Sequence, residues 1–333
     1  MMKFAGLVLA ASLIAPTYSW AQEFTMRIAS GANSAGWTCK EFLTSWAEKV
    51  KTESGGRIGY QLYCDGTLGK MGDTINRVQD GVAEVGWDVP LAYGARFAAY
   101  GLVGLPNLFD GSPKGAGGAL WKLYEEGTLP PVTGVKVAML QVLTNIYLWT
   151  AKPVEDLTKL NGLKVGIGSK ERAIIIEGMG GVPLSLRVPE YYQALAKGSA
   201  DGLFGASTAV FDFSVEELTK NAYQAPFGGG LVGIFMNQAW YDALPADLKK
   251  VIDANTGYEA SKWSSDILFK KEQEDMQAAA RDKGVQTTRL SAEQLQGWQG
   301  AFDAATQSWT SSIPDGAKYL DAFKTKLKAE GTN

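Results

Sequence analysis

The chain has 333 residues, among them 32 Lys and Arg, 35 Asp and Glu, two Cys and no His. Without His it cannot form a Ser-His-Asp or Cys-His catalytic device or a His metal site, and two Cys are too few for a Cys-rich zinc site. A formal net charge of −3 argues against nucleic-acid binding, which needs a basic surface. The composition leaves a globular protein, long enough for two lobes, that lacks the common catalytic and metal-binding devices.

The first 21 residues have the pattern of an export signal. Lys3 precedes the apolar stretch 5–16, which is much shorter than the about 20 residues that a membrane-spanning helix needs. Ser19 and Ala21 place small side chains at the two positions that a signal peptidase reads. We therefore expect a signal peptide at 1–21 and a soluble, exported mature chain. A buried N-terminal helix or a membrane anchor is the alternative.

Export changes what the two cysteines imply. Outside the cytoplasm a pair of thiols tends to be oxidised, so we expect a disulfide between Cys39 and Cys64. Two separate buried thiols are the alternative, because the sequence does not show whether the two Cα atoms lie within bridging distance.

Periodicity along the mature chain predicts two successive units of alternating strands and helices. Strands are predicted at 24–29, 57–63, 83–89, 136–143, 147–151, 163–167, 182–186 and 200–205. Helices are predicted at 34–52, 71–79, 170–179 and 189–197, between those strands. These units predict an α/β fold of two lobes with a cleft, and such sheets bind ligands beyond the carboxyl ends of their strands.

A long helical stretch follows at 247–283. It contains no Pro and only one Gly, Gly257, and Gly284 can supply its C-cap. A single helix of this length would measure about 55 Å and would run along both lobes. Two helices with a break near Gly257 are the alternative.

Several short motifs along the chain, each a weak signal alone, together resemble the sequence pattern of a known family. They stand at 66–69 (GTLG), 81–85 (GVAEV), 105–109 (LPNLF), 152–157 (KPVEDL), 161–165 (NGLKV), 179–183 (MGGVP), 190–195 (EYYQAL) and 240–245 (WYDALP). In this order and spacing they resemble the substrate-binding proteins of tripartite ATP-independent periplasmic (TRAP) transporters, the DctP family. The resemblance covers nearly the whole mature chain.

The resemblance implies a two-lobed, periplasmic-binding-protein-like fold, in which each lobe is a mixed sheet flanked by helices and a long helix spans both lobes. It implies lobe I at 22–144 and 229–262 and lobe II at 145–228 and 263–333. It also implies a periplasmic protein without catalysis or cofactor, whose partners are a small solute and the TRAP membrane subunits. A G-x-G-x-x-G string at 228–233 precedes a strand, so we interpret it as a crossover segment and not as a dinucleotide site.

Three polar anchors that the family usually places around an acidic ligand are missing. The arginine that follows the GLK motif is replaced by Gly166, the segment 144–147 holds no arginine, and a family asparagine falls at Gly205. A carboxylate enclosed without a cationic partner is strongly disfavoured. The departures therefore argue against an organic acid as the ligand.

Aromatic and acidic residues remain on the predicted cleft side, namely Trp37, Trp87, Asp88 and Trp149. Indole rings attract organic cations, and a carboxylate accepts hydrogen bonds from an ammonium group. We therefore favour a small amine, an amino alcohol or a quaternary ammonium compound as the solute. The alternative is that these tryptophans belong to the core and that Asp88 caps a helix or forms an ion pair.

Two other functions stay open. Asn145 and Ser169 are further candidate ligand contacts. Arg187 or Arg172 could bind an organic acid as a relocated anchor. The alternative for each arginine is a surface charge or a pair with a neighbouring glutamate. An exported hydrolase that uses two carboxylates is the enzyme alternative. It is disfavoured, because the chain has no Gly-x-Ser-x-Gly or Ser-x-x-Lys motif and no His. We expect no metal site.

Overall fold

The computed structural model describes residues 22–331, so the predicted signal peptide at 1–21 lies outside the described residues. The strands are β1 Phe24–Ser30, β2 Ile58–Tyr63, β3 Val85–Asp88, β4 Val135–Val142, β5 Tyr147–Thr150, β6 Lys164–Ile167, β7 Val182–Ser185, β8 Gly202–Gly205, β9 Asn221–Gln224, β10 Leu231–Asn237 and β11 Gln286–Arg289. The α-helices are α1 Thr44–Glu53, α2 Thr74–Gln79, α3 Lys114–Glu125, α4 Lys170–Gly178, α5 Tyr191–Ala196, α6 Ser207–Asp212, α7 Gln238–Ala243, α8 Ala246–Ala254, α9 Gly257–Ala278, α10 Ala292–Ser312 and α11 Gly316–Ala329. Further 3-10 or π-helical segments cover Thr38–Leu43, Pro90–Gly104, Val188–Glu190, Val215–Glu217 and Ala279–Lys283.

Lobe I is built on a mixed sheet with the strand order β2-β1-β3-β10-β4. Strand β1 runs parallel to β2 and β3, whereas β10 runs antiparallel to β3 and β4. Side chains alternate between the two faces of each strand. In β10, Ile234 packs in one core with Trp46 of α1, and Phe235 packs in the other with Phe97. Both faces of this sheet are therefore buried.

Lobe II is built on a second mixed sheet with the order β11-β9-β5-β8-β6-β7. Strand β6 runs parallel to β7 and β8, and β5 runs antiparallel to β8 and β9. In β5, Leu148 packs with Trp298 of α10, whereas Trp149 packs on the opposite face with Tyr191 of α5. Two mixed sheets flanked by helices confirm the predicted two-lobed α/β fold.

The chain passes between the lobes through linkers and one long helix. The linker 143–146 leads from β4 to β5, and the linker 225–230 leads from β9 back to β10. Helix α9 packs on α3 and β4 of lobe I and also touches α6 of lobe II. The glycine-rich string 228–233 ends the second linker and begins β10, so it is a crossover segment.

The predicted long helical stretch is broken just before Gly257, as in the two-helix alternative. Helix α8 ends at Ala254, and Thr256 is extended with a φ of −132° and a ψ of −179°. Gly257 then begins α9 with a φ of +87°, in the left-handed region that favours glycine. After a π-helical turn the chain leaves the helix at Gly284, with a φ of +70°, at the predicted C-cap.

The C-terminal helix differs from its predicted place in lobe II. Helix α11 packs on α3, and Tyr319 and Phe323 belong to a core of lobe I. Behind this helix, Glu330 pairs with Lys122 at 2.7 Å and with Lys262 of α9 at 2.9 Å. The exact lobe boundaries stay a prediction, but this segment lies against lobe I.

The predicted disulfide between Cys39 and Cys64 is present, with 6.6 Å between the two Cα atoms. It joins the first helical segment of lobe I to the end of β2. Within residues 22–331, no helix is both long enough and apolar enough to cross a membrane.

Candidate functional site

The segments that follow three strands make the contacts between the lobes and with the second linker. The stretch 31–38 follows β1 in lobe I, α4 follows β6 in lobe II, and α6 follows β8 in lobe II. The first of these contacts α6, and α4 contacts the linker 225–230. The junction therefore lies at the carboxyl ends of strands, where open α/β sheets bind their ligands.

Asp212, at the end of α6, joins lobe II directly to lobe I. Its Oδ1 accepts a hydrogen bond of 3.0 Å from the backbone nitrogen of Trp37, and its Oδ2 accepts one of 2.9 Å from Oγ1 of Thr38. The side-chain amide of Asn33 donates a third bond of 3.1 Å to the carbonyl oxygen of Asp212. The two lobes are closed upon each other at this point.

Arg172 lies in the first turn of α4, next to the second linker. The hydroxyl of Ser169 caps this helix by accepting a bond of 3.3 Å from the backbone nitrogen of Arg172. The guanidinium Nη2 donates a bond of 2.8 Å to the carbonyl oxygen of Gly229. Among residues 22–331, no carboxylate oxygen lies within 4.0 Å of this guanidinium. Burial lowers the pKa of Arg172, and the nearby Tyr191 and Glu171 act in the opposite direction.

Glycines leave space around this guanidinium. A Cβ atom added to Gly168 would lie 3.7 Å from Nη1 of Arg172, and one added to Gly205 would lie 3.4 Å from the ring of Tyr191. Both distances are ordinary van der Waals contacts. Burial raises the pKa of the Tyr191 hydroxyl, and the positive charge of Arg172 acts to lower it. A cation and an aromatic ring thus lie near each other beside glycines at the strand ends.

The position of the missing family arginine is filled by apolar side chains. A Cβ atom added to Gly166 would lie 2.7 Å from Cδ2 of Leu203 and 2.9 Å from Cδ1 of Leu186. Both distances are shorter than real Cβ contacts allow. A larger side chain at 166 would therefore require the ends of Leu203 and Leu186 to move.

Asp88, a candidate ligand contact, is already fully bonded within lobe I. Its Oδ1 accepts bonds of 2.8 Å from the backbone nitrogens of Gly72 and Val89. Its Oδ2 accepts a bond of 2.9 Å from the nitrogen of Thr74 and another from the hydroxyl of Tyr93. The residue is 0% exposed, and burial raises its pKa. Asp88 acts as a cap for α2 in the structure, which is the alternative left open by the sequence.

The structure does not bring the three candidate tryptophans together. Trp149 is buried in lobe II, where its Nε1 donates a bond of 3.2 Å to the carbonyl oxygen of Gly205. Trp87 is 7% exposed, and its buried Nε1 has no partner among the described residues. Trp37 is half-buried at the junction and stacks on Phe42 at 5.7 Å. Trp37 and Trp87 share a core of lobe I, and Trp149 does not belong to it.

Asn145 fastens the two linkers to lobe I. Its Nδ2 donates a bond of 2.8 Å to the carbonyl oxygen of Phe109, and its Oδ1 accepts one of 2.9 Å from the nitrogen of Gly228. These bonds use the amide from both sides, so Asn145 holds the hinge in the structure.

The environment of Arg187 differs from that of Arg172. Its side chain is 76% exposed and pairs with Glu190 at 2.8 Å. It is a surface charge with a neighbouring glutamate, which is the alternative given for it. Of the two arginines considered as relocated anchors, Arg172 is the one that lies at the lobe junction.

Glu272 and Asp212 were missed by the sequence analysis. Glu272 projects from α9, is 1% exposed, and accepts a bond from the hydroxyl of Thr144 in the first linker. The hydroxyl of Ser207 and the backbone nitrogen of Thr208 also face this carboxylate and favour its charged form. Burial raises the pKa of Glu272 to about 7. The available signal for Asp212 was its place in the segment after β8, beyond the carboxyl end of a strand. No local signal in the sequence marks Glu272.

Comparison with known proteins gives a consistent family. Residues 29–312 match the model of the bacterial extracellular solute-binding proteins, family 7, DctP. A solute-binding protein of Albidiferax ferrireducens is 25% identical over 311 residues, which cover 87% of this chain and 88% of that protein. The C4-dicarboxylate-binding periplasmic protein DctP of Rhodobacter capsulatus is 29% identical over 165 residues, which cover 49% of this chain and 48% of that protein.

Solved structures agree with this match. A TRAP solute-binding protein from a marine metagenome, specific for aromatic acid ligands and solved with metahydroxyphenylacetate, superposes with a TM-score of 0.87 at 25% identity, covering 92% of this chain and 99% of that one. A TRAP solute-binding protein of Rhodoferax ferrireducens, solved with copurified benzoate, has a TM-score of 0.86 at 24% identity, covering 92% and 98% of the two chains. At 24% identity the second structure shows the shared fold.

Proposed function

The chain belongs to the DctP family of bacterial extracellular solute-binding proteins, and on this premise we propose that it captures a small organic acid between its lobes. Proteins of this family are periplasmic and non-enzymatic, bind small molecules and work with TRAP membrane subunits. The proposal concerns the ligand. Arg172 of lobe II would bind the carboxylate of the ligand. The protein would then deliver the ligand to a TRAP-type membrane transporter.

The observation that carries this proposal is the guanidinium of Arg172. It is half-buried at the lobe junction, binds a backbone carbonyl, and has no carboxylate within 4.0 Å among the described residues. A buried charge without a counter-ion is costly, and a ligand carboxylate would supply the missing charge. A guanidinium has five N–H donors in a fixed fork, which suits two-point binding of a carboxylate. Arg172 thus offers what the missing family arginine offers elsewhere.

An aromatic acid is the more specific ligand that we propose. The marine protein that is specific for aromatic acid ligands is 25% identical over most of both chains. The buried ring of Tyr191 near Arg172, with the glycines at 168 and 205, supports an aromatic group beside the carboxylate. Stacked or edge-on aromatic pairs contribute about 0.5–1.5 kcal/mol beyond their area burial.

The amine that we favoured from the sequence has less support. Both oxygens of Asp88 are bonded within lobe I, so an ammonium group would have to displace backbone donors. Trp149 lies in the core of lobe II. The structural neighbours include proteins solved with aromatic acids, mandelate and uronates. Amines therefore enter the test as the competing class.

Calorimetry on the mature protein tests the proposal. Benzoate, 3-hydroxybenzoate, mandelate and succinate would be titrated beside ethanolamine and choline. We expect at least one aromatic carboxylate to bind in the micromolar range or tighter, and Arg172→Ala to lose at least about 100-fold in affinity, as for a charged hydrogen-bonded pair. Arg187→Ala is the matched control and should bind as the wild type does. Binding of amines alone, or full affinity in Arg172→Ala, would overturn the proposal.

A further inference from the structure

The first helical segment of lobe I has no cap of its own. It begins at Thr38, after Trp37 with a φ of −57°, and no side chain of its own N-cap accepts a bond there. The first amide groups of a helix lack partners within the helix and need an acceptor from elsewhere. Here the acceptor comes from the other lobe, because Asp212 of α6 binds the nitrogen of Trp37 and the hydroxyl of Thr38.

This cap exists only while the lobes are closed. Asp212 is separated from Trp37 by 175 residues and ends helix α6, which follows β8 in the sheet of lobe II. When the lobes part, the carboxylate and the amide of Trp37 must both return to water. Carboxylates are also favoured near the N-terminal end of a helix, because the helix dipole is positive there. The closed state therefore contains charge-assisted hydrogen bonds that the open state lacks.

We propose that Asp212 is a closure-determining residue, whose clasp on Trp37 and Thr38 stabilises the closed state and so raises the affinity for any ligand that closure traps. The clasp rests on the proposed capture function but not on the chemistry of the ligand. A ligand that binds the closed state has an apparent affinity that scales with the population of that state. Asp212 is a positioning residue in this sense and does not have to touch the ligand.

Gly36 provides independent support for the clasp. A Cβ atom added to Gly36 would lie 2.7 Å from Cγ and 2.8 Å from Oδ1 of Asp212, and its three nearest heavy atoms all belong to that residue. The backbone of Gly36 does not require glycine, because its φ is not in the left-handed region. The close approach of the lobes is what excludes a side chain here. Alanine at 36 should therefore obstruct closure without a clash inside lobe I.

The test combines four proteins: the wild type, Asp212→Ala, Gly36→Ala and the double variant. Spin labels on Ser45→Cys of lobe I and Glu177→Cys of lobe II report the distance between the lobes, with and without 3-hydroxybenzoate. We expect each single variant to shift the distance distribution towards the open state and to weaken binding by about 10- to 100-fold, as for loss of charged hydrogen bonds. The double variant should resemble Asp212→Ala, because truncation removes the atoms that Gly36→Ala would strike.

Two control substitutions separate closure from stability. Asp156→Ala removes an exposed carboxylate from lobe II, and Gly300→Ala adds a methyl group where no atom lies within 4 Å. Both should leave the lobe distance unchanged, and all variants should melt close to the wild type. Unchanged lobe distance and affinity in Asp212→Ala, or additive losses in the double variant, would overturn the clasp. A more open ligand-free Asp212→Ala would support the clasp even if no carboxylate bound, so the two proposals fail separately.

Discussion

Arg172 of lobe II donates a hydrogen bond of 2.8 Å to the carbonyl oxygen of Gly229, in the linker that returns the chain to lobe I. This bond places a guanidinium at the hinge and uses only part of its donor set. A neutral acceptor therefore holds the group in place, and no carboxylate oxygen of the described residues lies within 4.0 Å of it.

Arg172→Lys should not preserve ligand binding, although it preserves the charge. An ammonium group is a point charge on a flexible chain and cannot bind a carboxylate and the Gly229 carbonyl in the same planar arrangement. We expect affinity for aromatic carboxylates to fall by at least about 10-fold, with the melting temperature nearly unchanged. Calorimetry would measure the loss. Equal affinity in Arg172→Lys would mean that Arg172 acts only through its net charge.

Gly166→Arg, which restores the usual family residue, should damage this protein. A side chain at 166 would meet Leu203 and Leu186 at distances below 3.0 Å. Overpacking of this kind typically lowers the free energy of unfolding by about 1–3 kcal/mol. Urea denaturation would measure it, with Gly168→Ala as the control, since its nearest neighbour would lie 3.7 Å away. Tighter acid binding together with unchanged stability would contradict this expectation.

Glu272 should make stability depend on pH. Its pKa in the folded protein is raised to about 7 from an ordinary value of 4.5, mainly by burial, and the carboxylate of Asp275 raises it further. The hydroxyls of Thr144 and Ser207 act in the opposite direction. The folded state therefore holds this proton more tightly than the unfolded state, so the contribution of Glu272 to stability is fully present below about pH 4.5 and is lost as the pH rises through about 7.

Glu272→Gln removes this penalty while keeping the shape of the side chain. At pH 8 the variant should be more stable than the wild type, by up to about 3 kcal/mol at the usual 1.4 kcal/mol per pKa unit. At pH 5 the difference should nearly vanish. Melting curves at the two pH values would test this, with Glu177→Gln on the surface of α4 as the control. A stability difference that does not change between pH 5 and pH 8 would refute the assignment.

The disulfide should contribute measurably to the stability of lobe I. Cys39 and Cys64 are 25 residues apart, and closing a loop of this size restricts the unfolded chain by about 3 kcal/mol. We expect the free energy of unfolding of the Cys39→Ser, Cys64→Ser double variant, measured by urea denaturation, to be lower by about this amount. The reduced wild-type protein should match it. If both unfold as the oxidised wild type does, the bridge adds no stability.

Local patterns in the sequence located most of the regular elements but missed β9, β11, α3 and α6, and they did not decide the environment of the tryptophans. The strand at 147–150 was predicted within one residue, because its apolar residues and flanking breaks are local signals. The environment of Trp149 was not predicted, because both faces of its sheet are buried. The alternation of side chains along a strand does not show which neighbouring element covers which face. Asp88 likewise ends a predicted strand, and only the fold shows that the start of α2 uses its oxygens.

The sequence by itself determined the composition that excludes most catalysis, the places of most strands and helices, and the family, whereas the distance between Cys39 and Cys64 needed the fold. These properties depend on residue types and on short spacings, which the chain carries wherever it folds. Tertiary structure decided the site. Asp212 meets Trp37, and Arg172 meets Gly229, only because two sheets close upon each other. Contacts between distant segments depend on where whole lobes lie, and no local periodicity encodes that distance.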